Sequence, residues 1–228
     1  MVTGADLDNP GAAPVAQISR AAIAANLAAL GAEAGFAVDL RGDAYGHGCA
    51  TVAAWCAELG AAAARSDDGT GAGPLPEAAA DAVLLDAERV FGLAEGTTAA
   101  MRFAGTALVV KDLRAGEGVS YGFRHRAARD TRIALVTGGY AQGVVRSLGG
   151  AAEVLIGGAR HPIVGRVAMD VCMVDIGDAD VRRGDEAVFF GDPGRGEPGV
   201  REWAAATGLH TAEIVTAVGR RALRETRA

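Results

Sequence analysis

Near residue 100 the hydrophobic pattern changes period, and that change confines the chain to a mixed architecture. Before it, apolar residues recur at helical spacing. Ile23, Leu27 and Leu30 do so in "RAAIAANLAALGAEAG", and Val52, Trp55, Cys56 and Leu59 in "GCATVAAWCAELG". Ser19 is placed to cap the first of these helices, and Gly31 and Gly35 to stop it. "FAVDL" (36–40) reads as a short strand between them, so the order is helix, strand, glycine-containing loop, helix, an α/β rhythm. The rhythm halts in "RSDDGTGAGPLPEAAA" (65–80), a loop without apolar period, and "DAVLLD" (81–86) reads as one more short strand. Beyond residue 100 come "GTALVVKDL", "GVSYGF", "TRIALVTGGY", "AEVLIGG", "HPIVGRVAMDVCMVDIG" and "DEAVFFGD". Short β-type runs cut by Gly and Asp are the texture of a closed or sandwiched β-domain. "VREWAAATG" and "TAEIVTAVGRRALRE" close the chain as helices, with Thr211 as N-cap of the last and Arg220, Arg221 and Arg224 suited to its C-terminus.

Composition narrows the function classes. The 33 glycines among 228 residues imply many turns, and 50% hydrophobic residues supply a core. A net charge of −6 excludes broad nucleic-acid binding, which needs a basic face, but not a small anion held by a few local groups. The start, "MVTGADLDNP", is acidic and reads as part of a loose arm over 1–14 rather than a signal peptide. No apolar run reaches the roughly 20 residues of a membrane span. The three cysteines, Cys49, Cys56 and Cys172, have no zinc or CxxC spacing and read as reduced thiols. Together these point to a cytoplasmic protein with no metal site.

An ordered set of motifs carries more. "AQISRAAIAANLAAL", "LRGDAYGHG", "VKDLRAGEGVSYG", "RIALVTGGYAQG", "HPIVGRVAMDVCMVDIGD" and "TAEIVTAVGRR" together resemble the alanine racemase family. The resemblance implies an α+β chain: the remnant of a TIM-type α/β barrel over residues 1–98, including the 65–80 loop, followed by an alanine-racemase-like C-terminal β-domain over 99–228. A closed (β/α)₈ barrel takes about 200–250 residues, so the barrel's middle is expected to be missing, leaving parallel edges that need cover. The family uses pyridoxal phosphate (PLP), which acts as an electron sink, and two bases on opposite faces of the substrate. Its subunits pair through the β-domain, so the implied partner is a second copy of this chain or an intact racemase, with neither nucleic acid nor membrane involved.

Carried over residue by residue, the resemblance departs from the family where the cofactor should sit. The family's Schiff-base lysine corresponds to Arg41. A guanidinium does not offer the free amine lone pair that attacks an aldehyde, but it can hold a carboxylate or phosphate. Tyr45 matches a tyrosine that contacts the cofactor phosphate, and His47 reads as a loop-stabilising histidine. Aligning "LLDAERVFGL" with the family places Leu85 where an arginine faces the pyridine nitrogen. The same alignment puts Ala87 and Glu88 where backbone N–H groups hold the phosphate. Ala212 stands where a further phosphate-binding tyrosine is expected. The other half is better kept. Tyr140 matches the second catalytic base, although the family's aspartate two residues on is Gln142, and Met169 with Asp170 matches the pair that meets the substrate carboxylate.

The reading that follows is a degenerate racemase homologue with no cofactor expected, PLP entering by resemblance alone. Two alternatives remain open. One is a PLP-dependent racemase with residual or partner-complemented activity, for which Lys111, the only lysine, is poorly placed; an enzyme without PLP would need Tyr140, Asp43 or His47 to act unaided. The other is a small-anion or amino-acid binding module built on Arg41 and Tyr45.

Overall fold

The computed structural model describes residues 13–120, 122 and 125–227. Most of the N-terminal arm, residues 121 and 123 of the "GVSYGF" run, and residue 124 after it therefore lie outside the described residues. Two compact units are present. One comprises residues 17–101 with 210–220 and 224–227; the other is built on 102–209. Sequence texture groups the last helix with the β-type runs, whereas its contacts place it in the first unit.

In the first unit, Ser19 ends β1 (Val15–Ser19) and its hydroxyl accepts the Ala22 N–H, capping α1 (Arg20–Ala29). The helix ends at Ala29 with Leu30 as its C-cap, immediately before Gly31, and Gly31 and Gly35 both have positive φ. Strand β2 (Ala37–Asp39) pairs in parallel with β3 (Ala63–Arg65), and α3 (Cys49–Glu58) runs between them. The short segment α2 (Arg41–Tyr45) is a left-handed turn, described below.

The expected strand over 81–86 is not formed. Only Leu84 bridges Ala37, because Asp86 already caps the four-residue helix α4 (Ala87–Val90). On the far side Glu77 bridges Ala64. The 66–86 segment thus lays single-residue bridges along both outer edges of the two-stranded sheet. Ala64 N–H donates to Pro76, Ala78 N–H to Ala64, and Leu85 N–H to Ala37. These bonds satisfy backbone groups that an open parallel edge would leave bare.

The last helix, α6 (Thr211–Arg221), also departs from expectation. Thr211 is its first residue rather than its cap. The His210 ring accepts the Ala212 N–H through Nδ1, and the Glu213 carboxylate accepts the His210 N–H. Beyond Arg221 the chain becomes strand β12 (Leu223–Arg227), so Arg224 lies off the helix and pairs with Asp43.

The second unit is an antiparallel barrel. Strands β4 (Met101–Leu113), β7 (Thr131–Thr137), β10 (Val171–Asp175), β9 (Ala159–Val164), β8 (Glu153–Ile156) and β11 (Glu186–Phe190) pair in that order, and β11 closes on β4. Two short strands, β5 (Gly118–Val119) and β6 (His125–Arg126), form a separate ladder. Alternation fixes the register: Cys172 faces Val136 and Val174 faces Ala134, all four buried. Helix α5 (Val200–Thr207) drives Trp203 edge-on against Phe190, ring centroids 5.2 Å apart, while Phe103 stacks on Phe189 at 5.1 Å. The buried Glu197 carboxylate is held by Arg102 Nε at 2.7 Å, and the same guanidinium reaches Glu186.

Among the described residues no helix is long and apolar enough to cross a membrane, and no cluster of His, Cys, Asp or Glu side chains could hold a metal. All three cysteines are free; burial pushes the Cys56 and Cys172 thiols up to about 12.

Helix α6 approaches the backbone of the first unit closely at Gly219, opposite Gly46. A Cβ built on Gly219 would stand 2.0 Å from the Gly46 carbonyl oxygen. Gly219→Ala is therefore expected to lower unfolding stability by about 1–3 kcal/mol through overpacking, read from urea midpoints, and an unchanged midpoint would contradict this packing.

Candidate functional site

The residues that follow β2 form a compact polar centre. Asp39 is the last residue of β2, and Arg41 lies two residues on, beyond the strand, after a Leu40 that is no longer extended (φ −114°, ψ 15°). Arg41 folds back onto Asp39: its Nε donates to Oδ1 at 2.9 Å and its Nη2 to Oδ2 at 2.5 Å, while the Arg41 backbone N–H also reaches Oδ1. The Asp39 side chain is 8% exposed and that of Arg41 55%, so the carboxylate is the buried partner. Burial alone would raise the Asp39 carboxyl; the hydrogen bonds and charge of Arg41 outweigh it and hold the group below its ordinary value. Arg41 is raised in turn, first through its hydrogen bonds to Asp39.

The backbone then enters four successive left-handed residues, Gly42, Asp43, Ala44 and Tyr45, with φ between 54° and 64°. For the three that carry a Cβ this costs about 1–2 kcal/mol each, and several contacts offset it. The Gly42 N–H donates to both oxygens of Asp67 at 3.0 Å. Asp43 accepts the Cys49 N–H at 2.7 Å, at the start of α3, and pairs with Arg224. Gly46, itself at φ 79°, packs under α6.

Tyr45 donates a long 3.4 Å hydrogen bond to Asp39 Oδ2, and its ring lies 5.4 Å from Phe91. Burial and the Asp39 charge raise its phenol above the ordinary range. His47 stacks on Phe91 at 4.5 Å, and its Nδ1–H bonds the Ala44 and Tyr45 carbonyls. Complete burial drives it down to about 4, so it is neutral, the loop-stabilising histidine expected from the sequence.

The segment around Glu88 is likewise filled from within. Asp86 Oδ1 accepts the Glu88 N–H at 3.0 Å, and the Glu88 carboxylate meets His210 Nε2 at 3.3 Å. Leu85 presents no cation, and Ala212 no hydroxyl.

In the barrel unit, two loops are laced together. Gly138, Tyr140 and Ala141 donate backbone hydrogen bonds to Asp170, Ala168 and Met169. This brings Tyr140, Met169 and Asp170 to one edge. Tyr140 is 38% and Met169 54% exposed, and the Arg146 guanidinium lies 5.8 Å from the Tyr140 ring centre. Gln142 ties the pair of loops: its Oε1 accepts the Gly139 N–H and its Nε2 donates to Asp170. An ionised aspartate at position 142 could not make the second bond. Gly139 is obligatory, since a Cβ there would meet the Met169 carbonyl at 2.1 Å.

Sequence reasoning did not single out Asp39 or Asp67. Asp39 had only a local signal, an acid two residues before a cation. Asp67 had none, because only the fold returns it to Gly42 across 25 positions.

A closed antiparallel barrel and a clipped parallel α/β unit in one chain define a two-unit α+β protein. The chain belongs to the alanine racemase family: residues 100–226 match the family model for the alanine racemase C-terminal domain. Alanine racemases from Mycobacterium tuberculosis and Frankia casuarinae are 52% and 46% identical over 123 and 126 residues, 53% and 55% of this chain. Those segments are 32% and 33% of the relatives, so the match spans about a third of their length. The fold aligns with the alanine racemase of Streptomyces lavendulae at TM-score 0.84 and 21% identity, over 95% of this chain and 97% of that one. It aligns with that of Streptomyces coelicolor at TM-score 0.80 and 21% identity, over 94% and 98%.

The Asp39–Arg41 pair gives a pH signature. Folding lowers the Asp39 carboxyl, so its contribution is full above the ordinary carboxylate value of about 4 and lost as pH falls through the lower folded value. Asp39→Asn is expected to cost about 1–3 kcal/mol at pH 7, the scale of hydrogen bonds to a charged group. The difference from wild type should shrink towards pH 2, as measured by urea unfolding across pH; a difference independent of pH would contradict the pair.

Proposed function

We propose that this protein is a degenerate member of the alanine racemase family that does not racemise alanine through a PLP imine and that keeps its β-domain as an assembly module. The observation that carries the reading is the guanidinium of Arg41, at the family's lysine position, closed onto Asp39. No neutral amine is available there to attack an aldehyde. The phosphate end agrees. The Glu88 N–H is already bonded to Asp86, and the Glu88 carboxylate would oppose a phosphate. The residues present do not fit PLP, and no catalytic step is assigned through it.

The retained Tyr140, Met169 and Asp170 edge supports a role in pairing, with a second copy of this chain or with an intact family member to which it would lend those residues. The absence of any membrane-length apolar helix among the described residues agrees with a cytoplasmic setting. A binding module for free anions is less well supported, because the Arg41 and Tyr45 side chains are both already bonded to Asp39.

Mixing the purified protein with PLP, reducing with borohydride and mapping adducts by mass spectrometry tests the central point. The expected result is no visible imine band and no adduct on residues 36–48. An adduct on this chain that depends on its native fold would overturn the reading.

A further inference from the structure

We propose that Asp39 is a positioning residue that keeps any cation at position 41 in its charged form, so that the end of β2 is closed to amine chemistry by two residues rather than one. This rests on the reading that the site forms no imine. The argument is geometric. The Asp39 carboxylate is nearly buried, and its hydrogen bonds converge on one place. Oδ1 accepts the Arg41 backbone N–H and Nε, and Oδ2 accepts Nη2 and the Tyr45 hydroxyl. The backbone bond does not depend on the side chain at 41, so the carboxylate stays aimed at that side chain whatever it is.

The other charged and titratable groups facing position 41 reinforce this. Asp67 is anchored on the next residue's N–H, and its charge acts on Arg41 in the same sense as that of Asp39. Tyr45 is held in its neutral phenol form by burial and by Asp39. On the neighbouring strand Arg65 stands in register with Asp39 and is itself paired with Glu77. A lysine placed at 41 would meet the same two carboxylates. Its ammonium would be held protonated, and only the neutral amine is a nucleophile.

Replacing Arg41 by lysine is therefore not enough to reopen the site. The side chain at 39 must lose its charge as well.

The test uses the full chain with Lys111→Arg, which leaves position 41 as the one place to introduce a lysine. Arg41→Lys and Asp39→Asn/Arg41→Lys are pulsed with acetic anhydride between pH 7 and 11, and acetylation of the introduced lysine is followed by peptide mass spectrometry. Asp39→Asn is expected to raise its acetylation rate at pH 8 by about tenfold, one unit of midpoint. Equal rate profiles in the two proteins would overturn the proposal.

Should the double variant fail to fold, an NMR titration of the introduced side chain in Arg41→Lys alone decides the point. A midpoint above the ordinary lysine value of about 10.4 supports the proposal, and one at or below it overturns it. Neither experiment contains PLP. An imine on the wild-type chain would defeat the proposed function and leave these measurements standing, whereas equal reactivity of the introduced lysine in the two variants would defeat only the role of Asp39.

Discussion

A guanidinium folded onto a buried carboxylate decides what the end of β2 can do. Left without Arg41, the buried Asp39 carboxylate would keep only the long Tyr45 side-chain bond, a costly arrangement. Arg41 removes that cost with two side-chain bonds and a backbone bond, and the same carboxylate steadies Tyr45. The left-handed turn begins at the next residue, so the pair anchors its entry while Asp67, Asp43 and α6 hold its body. The Arg41 side chain is thereby part of the protein's own framework.

The two units keep the family pattern for different reasons. The barrel is specified by strong terms: alternating burial along its strands, as in β10, the Trp203 and phenylalanine cluster, and the buried Glu197 with its Arg102 partner. Its loops at 138–143 and 166–170 are tied by backbone bonds that require glycine at 139. The first unit has a two-stranded parallel sheet and covers its edges with single-residue bridges from 66–86. In place of a closed barrel it relies on ion pairs, such as Arg65 with Glu77 and Asp43 with Arg224. Partly exposed pairs of this kind contribute modestly one by one, which places more weight on the α1 and α3 packing.

The legible parts of the fold were those with a period. Both N-terminal helices, β2 and the main barrel strands follow from apolar spacing, and Ser19 caps α1 as its chemistry implies. The errors lie where a local competitor wins. Residues 81–86 have strand composition, but Asp86 commits the chain to a helical turn. Thr211 is a good cap by type, yet the His210 ring and Glu213 carboxylate reach the free N–H groups first. The 223–227 segment continues a helical composition and is nevertheless extended. At the site, Arg41 stood out in the motif. Its pairing with Asp39 was not set by strand alternation, since β2 ends at Asp39, and the approach of Asp67 was not legible at all, because it depends on a loop whose course no local pattern sets.

The most direct test of the account is whether the Arg41 guanidinium is held. In ¹⁵N-labelled protein, the account predicts a distinct Arg41 Nε–H resonance with slowed solvent exchange at neutral pH, lost in Asp39→Asn. Rapid exchange at Arg41, with exposed arginines such as Arg220 as the reference, would contradict it. The end of β2 would then hold a free cation rather than a closed pair.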